Sequence, residues 1–210
     1  MVLSASKEQD PIQMKKQNTA SADAQKTGLG LQLRQRRRVK DLTLTELSQQ
    51  SGLSVGLLSQ IERGLSSPSL KSMTQICTAL GIPLSWLFDS GPLANPAEKG
   101  LVVRRSARRR LDLGTYGVTK ELLSPDLGGE MQIYLVSVRP GGQSGPETYT
   151  HRGEEGGLVL TGTLELSVDG RIVLLYEGDS FRFSSLLAHR FANPGATQTD
   201  VVWANSLALY

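Results

Sequence analysis

The chain has 210 residues, of which 39% are hydrophobic and 20% are charged, and its formal net charge is +3. This length predicts two small domains, each with enough apolar residues to bury a core. The sequence contains no apolar run long enough to span a membrane, so we expect no transmembrane helix. It also lacks the apolar segment typical of a secretory signal, so we expect no signal peptide. A single cysteine, Cys77, excludes an internal disulfide and fits a reducing cytoplasm.

Charge is distributed unevenly along the chain. Residues 28–110 contain 13 basic and 5 acidic residues, whereas residues 111–210 contain 6 basic and 12 acidic residues. We therefore expect only the first half to meet a polyanion such as DNA. DNA would repel the second half, which must serve another purpose.

Composition also predicts where the domains begin and end. Residues 1–27 are rich in Ser, Lys, Gln and Ala and lack apolar periodicity, which is typical of a disordered arm. The first folded domain is expected at residues 28–88. A Pro/Gly-rich stretch opens the predicted linker at residues 89–104, and residues 105–210 form the second domain.

Residues 43–64 predict two short helices joined by a tight turn. Thr43 is a suitable N-cap for a helix from about Leu44 to Ser51. Gly52 can take the left-handed conformation that ends this helix, and Ser54 can cap the next one. This pattern is typical of a helix-turn-helix, although an ordinary pair of antiparallel helices can share it.

The second of these helices would expose small and polar side chains on its outer face. Such a face suits the major groove of DNA, where an amide can pair with adenine and an aliphatic group can contact a thymine methyl. Basic residues of the preceding helix could contact phosphates, or they could form a solvated face. The predicted DNA-contacting residues are Arg34, Arg38, Leu44, Thr45, Ser54, Val55, Gly56, Ser59, Gln60 and Arg63.

Residues 29–88 closely resemble the DNA-binding domain of the phage-repressor type, often called the Xre family. The matches are Leu33, Arg34, Arg37, Leu42, Thr43, Glu46, Leu47, Gly52, Ser59, Ile61, Glu62, Gly64, Pro68, Leu70, Leu80, Leu87 and Phe88. The resemblance implies a five-helix bundle that binds operator DNA. It also implies a structural ion pair between Arg37 and Glu62. Arg36 and Ser48 depart from the family pattern, which usually has an apolar residue and Ala there.

From about residue 101 onwards the sequence predicts β-strands. They are expected at Met131–Val138, Gly157–Leu160, Thr163–Val168, Arg171–Leu175, Asp179–Phe183 and Thr197–Asn205. Many short strands separated by Gly-containing turns favour a sandwich or a barrel. Five arginines between residues 101 and 110 could contact DNA, or they could pair with acidic groups of this half or of a partner subunit.

Both histidines of the chain lie in this second half. His151 and Glu155 are four residues apart, and His189 lies on a later predicted strand. Two imidazoles and a carboxylate could form a facial triad that suits iron(II), zinc or nickel, provided that the fold brings them together. Spacing alone leaves open a metal-free barrel in which the histidines bind polar groups of a small molecule.

About residues 105–208 resemble the cupin superfamily of double-stranded β-helix barrels. The matching residues are His151, Glu155 and Gly162 in the first motif and Gly178, His189 and Asn193 in the second. Tyr149 stands where many metal-binding cupins have a first histidine, and it could bind a metal or donate a hydrogen bond. The candidate effector or metal residues are therefore Tyr149, His151, Glu155 and His189.

A repressor-type module followed by a cupin barrel resembles a class of bacterial one-component regulators that includes the putrescine-utilisation repressors. The resemblance implies an α + β protein that binds a double-stranded operator as a homodimer or higher homo-oligomer in the cytoplasm. Its barrel would sense a small metabolite, and the acidic second half points to an amine or an amino acid.

An enzyme is the rival interpretation. The same architecture resembles an iron-dependent cupin epoxidase, in which His151, Glu155 and His189 would bind iron and the helical domain would be vestigial. The polar outer face of the second helix and its basic flanks favour a regulator, because an enzyme would have no need of them.

Overall fold

The computed structural model describes residues 28–88, 96–125 and 129–206. The predicted disordered arm and the first seven residues of the predicted linker lie outside these ranges. The described chain forms a helical part followed by a β-rich part, so the two-domain α + β prediction is confirmed. None of its helices combines the length and hydropathy that a membrane crossing requires.

Four α-helices form the first part. Helix α1 covers residues 28–39, α2 Leu44–Ser51, α3 Val55–Glu62 and α4 Leu70–Leu80. A serine or threonine hydroxyl caps each of the last three, because Thr43, Ser54 and Ser69 each accept a hydrogen bond from an amide of the first turn.

The prediction of five helices is not confirmed for the described chain. The segment expected to form the fifth helix, Leu84–Leu87, is a single 3-10 turn. Pro83 and Phe88 on either side of it have extended backbone conformations, so too few residues remain between them for an α-helix. The turn nevertheless closes the bundle, since Leu87 and Phe88 are buried.

The bundle has a compact apolar core that fixes the position of α3. Gly30 of α1 packs directly on α3, where an added Cβ would lie 2.4 Å from the carbonyl oxygen of Ile61. Only glycine permits so close an approach of the two helices. The other buried side chains that join the helices are Leu33, Leu47, Leu58, Ile61, Met73, Ile76 and Leu80.

Nine strands form the second part: β1 Arg109–Asp112, β2 Val118–Leu122, β3 Met131–Val138, β4 Glu154–Thr161, β5 Thr163–Val168, β6 Arg171–Tyr176, β7 Ser180–Ser184, β8 His189–Ala192 and β9 Thr199–Ser206. They make an antiparallel six-stranded sheet in the order β1-β2-β3-β9-β4-β7 and a three-stranded sheet in the order β6-β5-β8. Alternate residues of β2, β3 and β9 are buried, so these strands turn one face towards a shared core.

The two parts contact each other through α4 and the 3-10 turn. At the start of α4, the Leu70 amide donates a 3.0 Å hydrogen bond to the carbonyl oxygen of Ser144, and Lys71 forms an ion pair with Glu147. After α4, Phe88 stacks on Tyr134 of β3 with ring centroids 5.6 Å apart. The bundle therefore contacts the β-rich part at the start of α4 and in the turn beyond its end.

Candidate functional site

Helix α3 turns one face to the bundle core and the other to solvent. Leu58, Ile61 and Glu62 are buried, whereas the opposite face is open. The residues of this open face are Val55, Gly56, Gln60 and Arg63, which are exposed, and Ser59, which is half-buried. A Cβ added at Gly56 would meet no atom within 4 Å, so nothing within the described chain requires a glycine there.

The remaining predicted DNA contacts surround this face. Thr45 and Ser54 are exposed and Leu44 is half-buried, while Arg34 and Arg38 are exposed on α1. The Ser54 hydroxyl accepts from the Leu57 amide at 3.2 Å, which anchors the N-terminal end of α3. The face thus combines a fixed helix with polar and basic neighbours, as a major-groove reader requires.

Arg37 differs from these arginines because it is buried. Its Nε and Nη2 donate to Glu62 Oε1 and Oε2 at 2.6 and 2.9 Å, and its Nη1 donates to the Leu42 carbonyl oxygen at 2.6 Å. The hydrogen bonds to Glu62 raise the pKa of Arg37 against the opposing effect of burial. This guanidinium links α1 to the end of α3 and does not face the solvent.

The fold brings His151, Glu155 and His189 together. His151 Nε2 lies 2.7 Å from Glu155 Oε1, and His189 Nε2 lies 3.7 Å from Glu155 Oε2. One ligand atom from each residue falls within 4.8 Å of the others. Tyr149 adjoins the group, with its ring centroid 4.2 Å from that of His189.

Hydrogen bonds from both imidazoles to the backbone indicate how the rings are oriented. His189 Nδ1 lies 2.8 Å from the Leu187 carbonyl oxygen, and His151 Nδ1 lies 3.1 Å from that of Arg152. Because a carbonyl oxygen can only accept, each Nδ1 carries the hydrogen. In a neutral ring each Nε2 then presents a lone pair to Glu155.

Two lone-pair atoms that face a carboxylate need a proton or a cation between them. His189 Nε2 is buried and has no hydrogen-bond partner among the described residues. Metal-binding histidines commonly donate their other N–H to a backbone carbonyl, as both rings do here. The arrangement therefore fits a divalent ion held by His151, Glu155 and His189.

Glu155 is held by residues that the sequence alone did not identify. Trp203 Nε1 donates to its Oε2 at 3.1 Å and Asn205 Nδ2 donates to its Oε1 at 3.2 Å. Burial would raise the pKa of Glu155, but a protonated His151 donates a hydrogen bond from Nε2 to this carboxylate, and that bond and the nearby positive charges lower the pKa. The buried carboxylate is therefore ionised at neutral pH.

Lys120 is a second buried ionisable group near Glu155 that sequence reasoning missed. It lies between Val118 and Leu122 on the inward face of β2 and is only 5% exposed. Its Nζ lies 5.2 Å from the centroid of the Tyr134 ring. Burial lowers the pKa of Lys120, and the charge of Glu155 opposes this shift. The sequence offered no signal for this inward position, because a lysine there interrupts the apolar alternation of β2.

A cavity of about 520 Å³ opens beside this cluster. His151 and Asn205 form part of its wall, together with Gln132 and Tyr134 of β3. The volume lies within the range of about 300–1,000 Å³ that is usual for small-molecule sites. The described residues thus provide polar groups and a space in which a small ligand could contact them.

Each of the two parts of the chain matches a known protein family. The family described as "Helix-turn-helix" matches residues 33–87 and the family described as "Cupin domain" matches residues 134–205. The solved structure of an HTH_3 family transcriptional regulator from Vibrio cholerae is 21% identical to this chain and superposes with a TM-score of 0.64. The alignment covers 89% of this chain and 99% of the other. That structure shares the fold.

Two curated relatives align along most of their length. The HTH-type transcriptional regulator PuuR of Escherichia coli is 25% identical over 178 residues, which is 84% of this chain and 94% of PuuR. The HTH-type transcriptional regulator SutR of the same organism is 28% identical over 167 residues, or 80% and 88% of the two chains. Both are transcriptional regulators by name. The chain therefore carries a helix-turn-helix domain followed by a cupin domain, and along most of its length it is similar to HTH-type transcriptional regulators.

Proposed function

We propose that this regulator binds its operator as a homodimer through α3 and that its barrel senses a small metabolite. The observation that carries the proposal is the open face of α3. Its exposed residues are small or polar, while the three residues on the opposite side are buried in the bundle. Such a helix can place its small and polar side chains in the major groove while its apolar side stays packed in the bundle core.

Individual residues of this face have separate roles in the proposal. The Gln60 amide reads a base edge, and Val55, which is 40% exposed, contacts a thymine methyl. Gly56 lets the helix backbone approach the DNA closely. Arg34 and Arg38 contact phosphates and fix the register without reading sequence.

A homodimer is proposed because one recognition helix buries too little surface for tight specific binding. Two copies would read half-sites separated by about one helical turn of DNA. The second copy would pair with β6, which is one of the two edge strands of the three-stranded sheet. This strand exposes the apolar side chains Ile172, Val173, Leu174 and Tyr176, and such edges pair readily with another strand.

The proposed sensory site is the cluster of Tyr149, His151, Glu155 and His189. An amine or an amino acid is the proposed effector, because residues 111–210 contain 12 acidic and 6 basic residues. We also propose that these histidines and Glu155 hold zinc, iron or nickel. When bound, such an ion would supply a positive charge that anchors a carboxylate or an amine lone pair of the effector.

The test is selection of the purified full-length protein against a pool of random DNA duplexes. We expect enrichment of a palindromic sequence, bound at least tenfold more weakly by Gln60→Ala. Gln75→Ala on α4 removes the same amide away from the α3 face and should bind as wild type. Failure to enrich any sequence would refute the proposal.

A further inference from the structure

The cavity beside His151 lies between the two domains. One wall consists of the barrel residues already described. The opposite wall consists of the DNA-binding domain, with Thr74, Cys77 and Thr78 on one face of α4 and Ile82 and Leu84 just beyond its end. Any molecule that fills this cavity would therefore contact both domains at once.

Helix α4 connects the cavity wall to the DNA-reading part of the bundle. Met73, Ile76 and Leu80 lie on its inner face and are buried in the same core as Leu58 and Ile61 of α3. The helix is thus a rigid element with one face on the cavity and the other in the bundle core. Because α4 packs against α2 and α2 packs against α3, a displacement of α4 relative to the barrel would move α3 as part of the bundle.

Polar contacts at both ends of α4 fix the position of the bundle on the barrel among the residues that the structure describes. At one end of α4 they are the Leu70 amide to Ser144 and the ion pair of Lys71. At the other end, Gln132 Nε2 donates to Ser85 Oγ at 3.1 Å in a buried hydrogen bond. Gln132 also lines the cavity, so a ligand there would compete with this bond or extend it.

We propose that the effector binds in this interdomain cavity and controls operator binding by changing how α4 packs against the barrel. This inference rests on the proposed function and adds the mechanism of regulation. The effector site and the DNA-binding face are coupled directly, because a ligand in the cavity becomes part of the interface between the two domains. No conformational signal has to cross the barrel.

The lining also specifies the class of ligand. The α4 side offers apolar groups from Cys77, Ile82 and Leu84, whereas the barrel side offers the polar groups of His151 and Asn205. The cavity suits an amphipathic organic molecule whose polar head lies at His151 and whose apolar body lies under α4. A small inorganic ion alone would leave the apolar wall without a contact.

The mechanism can be tested without knowing the effector by tethering a benzyl group inside the cavity. Thr78 lines the cavity and is exposed, so Thr78→Cys in a Cys77→Ala background provides one accessible thiol. Benzyl methanethiosulfonate then places a benzyl group against the barrel wall as a mixed disulfide. Dithiothreitol removes it and returns the same protein sample to its starting state.

Operator affinity is measured on the sequence that the wild-type protein selects. We expect the complete adduct, verified by mass spectrometry, to change the operator dissociation constant by at least about fivefold, which is the lower end of usual allosteric coupling. Dithiothreitol should restore the original value. The rate of hydrogen exchange at the Leu70 amide should change together with operator affinity, because that amide donates a hydrogen bond across the domain interface.

The matched control is Ala196→Cys in the same background. Ala196 is exposed on a loop of the barrel and does not line the cavity, so its adduct should leave affinity within about twofold. A complete Thr78→Cys adduct with unchanged operator affinity would overturn the inference. Failure of the proposed function would appear differently, since the unlabelled protein would then select no operator at all.

Discussion

Arg37 and Glu62 form a buried, two-point ion pair that joins α1 to the end of α3, with N–O distances of 2.6 and 2.9 Å. The pair holds in place the helix whose outer face is proposed to read DNA. Its role is therefore to support α3 and not to bind phosphate, and this distinction can be measured.

Glu62→Ala should destabilise the protein by about 3–5 kcal/mol, because it leaves the Arg37 charge buried without a partner. Arg38→Ala removes an exposed guanidinium from the same helix and should cost no more than about 0.5 kcal/mol. Urea denaturation followed by helical circular dichroism provides both values. An unfolding midpoint of Glu62→Ala equal to that of the wild type would show that the ion pair does not contribute to the stability of the fold.

Substitutions at Gly56 should separate stability from DNA binding. Gly56→Ala should stabilise the protein by about 1 kcal/mol, because alanine favours the helix and its Cβ would meet no neighbour within 4 Å. Gly56→Trp should also fold, yet it should weaken operator binding more than tenfold, because the indole would occupy the space proposed for DNA. Thermal melting and fluorescence anisotropy measure the two effects. Wild-type affinity of Gly56→Trp would exclude a close approach of DNA at this position.

Metal content tests the cluster around Glu155. We expect about one zinc, iron or nickel ion per chain after purification without chelator, and less than one tenth of that in His151→Ala. Tyr149→Phe should retain the ion if the tyrosine only neighbours the cluster. The melting temperature provides a second measurement, since a chelator should lower it for the wild type and leave it unchanged for His151→Ala. An equal metal content in wild type and His151→Ala would refute the site.

The proposed dimer contact at β6 predicts a change of oligomeric state. Val173→Lys together with Leu174→Glu should yield a monomer, because charged side chains on an edge strand oppose pairing. Exchanging Arg171 for Lys in the same strand preserves its charge and serves as the control. Sedimentation equilibrium distinguishes the species. A double variant that remains dimeric would place the contact elsewhere on the molecule.

Sequence patterns predicted elements well where the local signal was strong. The bounds of α2 agree because Thr43 and Glu46 form the capping box and Gly52 takes a left-handed conformation. The bounds of strands β3 and β5 also agree, since burial alternates along β3 and polar and apolar residues alternate along the sequence of β5. By contrast, β2 was not predicted, because Lys120 stands at an inward position where the alternation calls for an apolar residue.

The candidate site was only partly predictable. The histidines and Glu155 were identified as a possible triad from their residue types and then matched to cupin motifs, but no spacing rule could show that they converge. Trp203 and Asn205 were missed because their hydrogen bonds to Glu155 depend on the pairing of β4 with β9, in which Asn205 lies opposite Glu155. The cavity between the domains depends on the docking of α4, for which the sequence contains no local signal.

The hydrogen bond from Trp203 to Glu155 gives the molecule an intrinsic optical reporter. Trp203 is 1% exposed, whereas Trp86, the other of the two tryptophans, is 37% exposed in the turn that follows α4. The two indoles therefore differ in polarity and in access to a soluble quencher such as acrylamide. With the accessible indole quenched, the remaining emission comes from the one bonded to Glu155, and its wavelength will register each change in the charge of that carboxylate without any added dye.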